Sequence, residues 1–116
     1  MPNYNSRLDE AFRALADPTR RLMVERLCQG PATVSELARP LAMALPSVMQ
    51  HLQVLESSGL VRTQKAGRVR TCLIDTAALQ DVERWVSERR MGWEKAFDRL
   101  ALVLADDTDS NRKEPT

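Results

Sequence analysis

Residues 33–74 read TVSELARPL, AMA, LPSVMQHLQVLESSG and LVRTQKAGRVRTCLI: two short helical patterns joined by a tight turn, then a basic hairpin. At roughly 100° per residue along the second pattern, about 45–58, Val48, Met49, Leu52 and Leu55 share one face. Ser47, Gln50 and Val54 fall opposite, with His51 on the flank. Glu56 is the sole charge between Leu45 and Gly59. A helix face meant for water carries Lys and Glu, whereas small neutral hydrogen-bonding groups suit a surface that must match another, such as a DNA groove.

The flanking signals agree. Thr33-Val-Ser-Glu36 is a capping-box pattern that starts a short helix with Val34, Leu37, Ala38 and Leu41 inside and Pro40 near its end. After the turn at 42–44, Leu45-Pro46 opens the next helix, and Gly59 stands where a left-handed residue ends it, with Leu60 closing over. Two helices so closely joined form a helix-turn-helix. From 61 to 74 the period changes, with β-branched residues on either side of Ala66-Gly67, which predicts an antiparallel hairpin, a wing. Arg62, Lys65, Arg68 and Arg70 lie on it with no acid among them, a pattern suited to phosphate contact.

Upstream, Leu8, Ala11, Phe12 and Leu15 predict an amphipathic helix from Ser6 that stops at Asp17-Pro18. Asp17 then caps a second helix, to about residue 29, with Leu22, Met23, Leu27 and Cys28 inside and Arg20, Arg21, Glu25 and Arg26 mostly outside. Downstream, over about 76–104, Leu79, Val82, Val86, Trp93, Ala96, Leu100 and Val103 fit a near-heptad seam broken by Arg89, with Phe97 beside it and Gly92 a candidate kink. Such a seam has little left to cover in a small domain. It is expected to meet its copy in a second subunit, together with Leu8 and Phe12.

With 116 residues there is room for one domain, expected over 1–105, with an unstructured lead at 1–5 and a disordered polar tail at 106–116. The net charge is +1, but the tail holds four acids against two bases, which leaves +3 elsewhere. A near-neutral chain with one basic finger suits a DNA binder that must not adhere everywhere. Neither a membrane-length apolar run nor a signal-peptide core is present, so the expected location is the cytoplasm. Cys28 and Cys72 form no C-x-x-C pair and read as packed thiols. His51 is the single histidine, and no Ser/His/Asp set, phosphate loop or pair of acids at catalytic spacing is found. An enzyme, a metal site and a cofactor are therefore not expected.

The words LADPTRRLMVERL (15–27), VSELARPL (34–41), QHLQVLESSGLV (50–61) and GRVRTCLID (67–75), in this order and spacing, resemble the ArsR/SmtB family of bacterial winged-helix repressors over roughly residues 8–104. The terminal WEKAFDRLALVL is similar to the branch that lacks metal thiolates. The resemblance implies a mainly α fold with a small β-wing (α+β), a winged helix-turn-helix in the order four helices, hairpin, fifth helix. It implies a homodimer, through the first and fifth helices, that represses transcription from a pseudo-palindromic double-stranded DNA operator and leaves when a signal, such as a small-molecule effector, arrives. It assigns Ser47, Gln50 and His51, with Val54 on the same face, to major-groove reading, and Arg68 and Arg70 to the wing, beside Arg62 and Lys65. The dimer interface would use Leu8, Phe12, Leu79, Val82, Val86, Trp93, Phe97 and Leu100. Family metal sites use a Cys-x-Cys pair or His/Asp/Glu sets on the terminal helix, and neither occurs here. Two alternatives stand beside this reading: a winged-helix module that binds protein, and a thiol-responsive repressor that uses Cys28 and Cys72.

Overall fold

The structure, a computed structural model, describes residues 6–112, with side chains to residue 107. The expected lead at 1–5 and the last four positions of the expected tail lie outside the described residues. The elements are α1 (Ser6–Leu15), α2 (Pro18–Leu27), β1 (Ala32–Thr33), α3 (Val34–Ala38), α4 (Leu45–Ser57), β2 (Val61–Ala66), β3 (Val69–Ile74) and α5 (Thr76–Arg112). The fold is mainly helical with a small antiparallel sheet, in the expected helix order.

Local chemistry sets the boundaries. The Asp17 carboxylate accepts the Arg20 amide at 2.9 Å, and Pro18 occupies the first turn, where its missing N–H costs nothing. Thr33 and Glu36 form the reciprocal capping box of α3. At the end of α4, Gly59 takes φ 81°, its amide donates to the Glu56 carbonyl at 3.0 Å, and the Leu60 amide donates to the Leu55 carbonyl at 3.1 Å. This is the paired bonding of a Schellman close, and Leu60 is fully buried over it. The hairpin turns on Gly67-Arg68 between Ala66 and Val69, with Gly67 at φ 62° as the first central residue, the position where a two-residue turn of this hand needs glycine.

Three features differ from the sequence reading. A third strand, β1, pairs with β3 through Ala32↔Cys72 and Thr33↔Thr71, which gives the order β1-β3-β2. Two residues carry no alternation to detect, and their partner lies about forty positions away. On α2 the buried residues are Met23, Val24 and Leu27, while Leu22 and Cys28 are exposed. Residues 22–24 are all apolar, so their spacing leaves the rotation of α2 open, and packing on α1, α4 and β3 selects it. Third, α5 continues unbroken through Gly92 to Arg112, past the end expected near 104 and into the segment expected to be disordered. No proline stands between Pro46 and Pro115, and a charged composition does not itself stop a helix.

Up to Val82 the chain forms one compact unit. Its core joins Ala11 and Ala14 of α1, Met23 and Leu27 of α2, Leu37 of α3, Val48, Leu52 and Leu55 of α4, then Leu60, Val61, Cys72 and Ala78. Leu79 and Val82 at the start of α5 pack partly against it. From Glu83 to Arg112 the chain is a single helix whose described side chains are almost all exposed. Within it Trp93 and Phe97 stack with centroids 5.2 Å apart, and the Arg89 guanidinium lies 4.7 Å over the Trp85 ring. Among the described residues no helix is long and apolar enough to cross a membrane.

Candidate nucleic-acid interface

The rotation of α4 is fixed by three fully buried side chains, Val48, Leu52 and Leu55, spaced as one helical face requires. Gln50, Gln53, Val54 and Ser57 are thereby turned out, and Ser47, Met49, His51 and Glu56 are half-buried at its edges. The outward arc is centred nearer Gln50 and Ser57 than the expected Ser47–Val54 line. Gln53 therefore belongs to this face, although the sequence reading passed over it. The signal was available, since Gln53 follows Gln50 by three positions, as Gln50 follows Ser47.

The wing meets this face. Lys65, Arg68, Val69 and Arg70 line a cleft of about 400 Å³ with Met49 of α4 and with Thr33, Val34 and Ser35 at the start of α3. Arg70 also lines a neighbouring cleft of about 310 Å³ with Met49, Gln50, Gln53 and Glu56. Arg70 thus borders both the cationic hairpin and the α4 face that carries Gln50, Gln53 and Glu56. The hydroxyl residues Thr33 and Ser35 were not singled out in the sequence, because a capping box explains them locally and β1, which brings them beside β3, went unseen.

Two expected site residues stand differently from the rest. Arg62 pairs with Leu73 in register near the base of the hairpin, and its Nε lies 3.5 Å from the Asp75 carboxylate, away from the tip group. His51 is turned toward α2. Its Nδ1 is 3.4 Å from Arg20 Nη1 and 3.7 Å from Asp17 Oδ2. The hydrogen bond from the Arg20 amide holds the Asp17 carboxyl below its usual range against a desolvation cost, and the His51 and Arg20 charges lower it further. Arg20 in turn donates from Nε to the Ala14 carbonyl at 2.7 Å and from Nη2 to the Arg13 carbonyl at 3.1 Å, while Arg21 reaches the Leu15 carbonyl at 2.8 Å. These arginines satisfy the last carbonyls of α1 and tie α1, α2 and α4 together.

The residues expected at a subunit interface divide. Leu79 and Val82 are half-buried by their own chain, as is Leu8. Phe12, Val86, Trp93, Phe97 and Leu100 are exposed, Trp93 by 64 %. The cysteines also divide. Cys28 is exposed, contrary to its reading as a packed thiol, because the rotation of α2 described above turns it out. Cys72, on the central strand β3, is fully buried, and burial pushes its thiol up to about 11, a value that suppresses the thiolate needed for redox sensing.

Comparison with known proteins decides the family. Residues 15–64 match a helix-turn-helix domain model. The chain is 41 % identical over 102 residues to the HTH-type transcriptional regulator Rv2034 of Mycobacterium tuberculosis, covering 84 % of this chain and 94 % of that one. It is 54 % identical to a crystal structure of an ArsR family transcriptional regulator, RHA00566, with a TM-score of 0.74 over 81 % of this chain and 97 % of the other. The chain belongs to the ArsR family of winged-helix transcriptional regulators. A solution structure of the homodimeric winged helix-turn-helix DNA-binding domain Mb0332 from Mycobacterium bovis, described as a possible ArsR-family regulator, is 25 % identical, with a TM-score of 0.58 over 96 % of this chain and 89 % of that one. As an ArsR-family protein this is a DNA-binding regulator of transcription rather than an enzyme.

Proposed function

We propose that this ArsR-family regulator is a cytoplasmic repressor that binds a pseudo-palindromic operator as a homodimer, with α4 in the major groove and the hairpin tip on the phosphate backbone. The observation that carries the reading is Arg70, which borders both clefts, so that base-reading and phosphate-binding chemistry are continuous. Gln50 offers an amide donor and acceptor that match adenine N6 and N7, and Gln53 stands beside it. Lys65 and Arg68 supply charge at the hairpin tip, Arg70 does so beside Glu56 of α4, and Arg62 is partly neutralised by Asp75. Ser47 and Val54 complete the contact face, with Val54 suited to a thymine methyl.

For the dimer, the support is the exposed stripe of Val86, Trp93, Phe97 and Leu100 along α5 and the homodimeric state of the Mycobacterium bovis relative. Two copies related by a twofold axis would offer their α4 helices to half-sites about 34 Å apart, one turn of DNA.

The test is a mobility-shift titration on the DNA upstream of the protein's own gene, at several salt concentrations, with light scattering on the free protein. A dimer and a bound complex are expected. Replacing both Arg68 and Arg70 by Ala should weaken binding to all duplexes and flatten the salt slope by about 1.8 per subunit, two lost phosphate contacts at about 0.9 each. An unchanged slope would reject the wing contact. A mass of 13.1 kDa at micromolar concentration would reject the dimer.

A further inference from the structure

His51 enters the reading above only by its position on α4, and the chemistry around its ring is more specific than that position. Nδ1 faces Arg20 Nη1 at 3.4 Å. A guanidinium donates and never accepts, and it keeps its charge at every pH a protein survives. Nor is this guanidinium free to swing away, since its Nε and Nη2 are held by the Ala14 and Arg13 carbonyls at 2.7 and 3.1 Å. In the neutral ring, Nδ1 must therefore present its lone pair to Arg20, and the proton sits on Nε2. In the protonated ring both nitrogens carry protons, so Nε2 keeps its own, the Arg20 hydrogen bond is given up, and the Asp17 carboxylate 3.7 Å from Nδ1 supplies the opposite charge. The disfavoured form is the neutral ring protonated on Nδ1, which would exchange the Arg20 hydrogen bond at 3.4 Å for an Asp17 oxygen 3.7 Å away, beyond hydrogen-bond distance. Among the described residues Nε2 has no hydrogen-bond partner, and it is not buried without one.

We propose that Arg20 locks His51 as a donor-only DNA contact: in either charge state Nε2–H addresses an acceptor of the duplex, a purine N7 or a phosphate oxygen, and never an amino group. The inference rests on the groove reading of α4. It separates His51 from Gln50, whose amide can serve both donor and acceptor edges, and it makes Arg20 a positioning residue that never touches DNA. Asp17, Arg20 and His51 then form a relay from the end of α1 and the cap of α2 to the reading face.

Because His51 is the single histidine, imidazole nitrogen-15 labelling of the full chain reports it without assignment ambiguity. With the pH raised until the ring is neutral, the spectrum should show the proton on Nε2. In Arg20→Met the Asp17 carboxylate is left as the group facing Nδ1, and the proton should move there. Should that variant fail to fold, Asp17→Asn keeps a competent helix cap and keeps Arg20, so it should retain the proton on Nε2. A wild-type ring protonated on Nδ1, or an Asp17→Asn ring that switches, would overturn the lock.

The contact itself is read on a duplex selected by the wild-type protein from a randomised pool. 7-Deazapurines are introduced one position at a time, and methylphosphonates one linkage at a time. One modification should cost the wild type about 3- to 10-fold and cost His51→Ala nothing, and its type tells base acceptor from phosphate. If every modification weighs equally on both proteins, His51 makes no such contact. If no duplex is selected, the groove reading fails and the contact with it, whereas a wrong tautomer fails the lock alone.

Discussion

The apolar residues of the core before Val82 and those of α5 beyond it differ in exposure. Before it, Leu52, Leu55 and Leu60 have no exposed surface; after Glu83, Trp93, Phe97, Leu100, Leu102 and Val103 are each half exposed or more. The difference lies in where the covering surface comes from. In the first region, four helices and a three-stranded sheet supply it within one chain, and their burial sets the rotation of α4 and hence which of its residues face outward. In the second, a single helix cannot cover its own apolar residues, and the stripe that Trp93, Phe97 and Leu100 form along one face has the character of an interaction surface. The dimer proposed above would supply the missing layer.

The strongest way to break this contrast is to make one chemical change on both sides. Leu52→Ala should cost about 2–5 kcal/mol of unfolding free energy, because it removes transfer energy and leaves a cavity among Val48, Leu55 and their neighbours. Leu100→Ala should change the unfolding of dilute protein by no more than about 0.5 kcal/mol. Its effect should appear instead as a melting temperature that rises less with protein concentration than that of the wild type, because a weaker association stabilises the fold less. Urea titrations at low and high protein concentration measure both. Equal costs at low concentration would abolish the distinction between the two regions.

Next in size is the pair of thiols, which divides in the same way inside the first region. Alkylation should modify Cys28 promptly and Cys72 at least about tenfold more slowly, through opening of the sheet, with mass spectrometry of digests as the readout. The buried thiol also links stability to pH. Its proton is retained in the folded state up to about 11, against an ordinary 9.0, so the unfolded chain loses its proton first. Stability should be unaffected by this group below pH 9 and fall as pH rises from there toward 11. Cys72→Ala should remove that alkaline loss.

The sequence made legible whatever is decided within a few neighbouring residues: the Asp17 cap, the Thr33–Glu36 box, the Gly59 close, the Gly67 turn and the buried face of α4. What it hid was decided by residues far apart in the chain. Three apolar neighbours at 22–24 left α2 free to rotate until α4 and β3 chose Met23 and Val24 over Leu22. The two-residue β1 exists only because Cys72 and Thr71 lie opposite. For the candidate site the same division holds. The residue types of the reading helix and wing were visible, but the meeting of Arg70 with both clefts, the turn of His51 toward Asp17 and Arg20, and the withdrawal of Arg62 to Asp75 all depend on tertiary contacts.

The smallest expected effect lies at the edge of the well-packed region, where hydrogen bonds rather than burial decide. Thr33 serves twice there: its hydroxyl accepts the Glu36 amide at 3.1 Å, and its backbone stands opposite Thr71 in the sheet. Thr33→Ala should leave the sheet pairing intact and cost about 1 kcal/mol, the ordinary worth of a helix cap. The Glu36 carboxylate is held below its ordinary 4.5 by the Thr33 amide first and the Thr33 hydroxyl second, against desolvation. A carboxylate lowered in the folded state contributes stability above its unfolded value and loses it as pH falls through the folded one. The wild type should therefore lose stability below about pH 4.5, and Thr33→Ala should lose less over that interval, because one of the two hydrogen bonds is already gone. Chemical denaturation at pH 7 and at pH 3 gives the comparison; parallel losses in the two proteins would mean that the box holds α3 by shape alone.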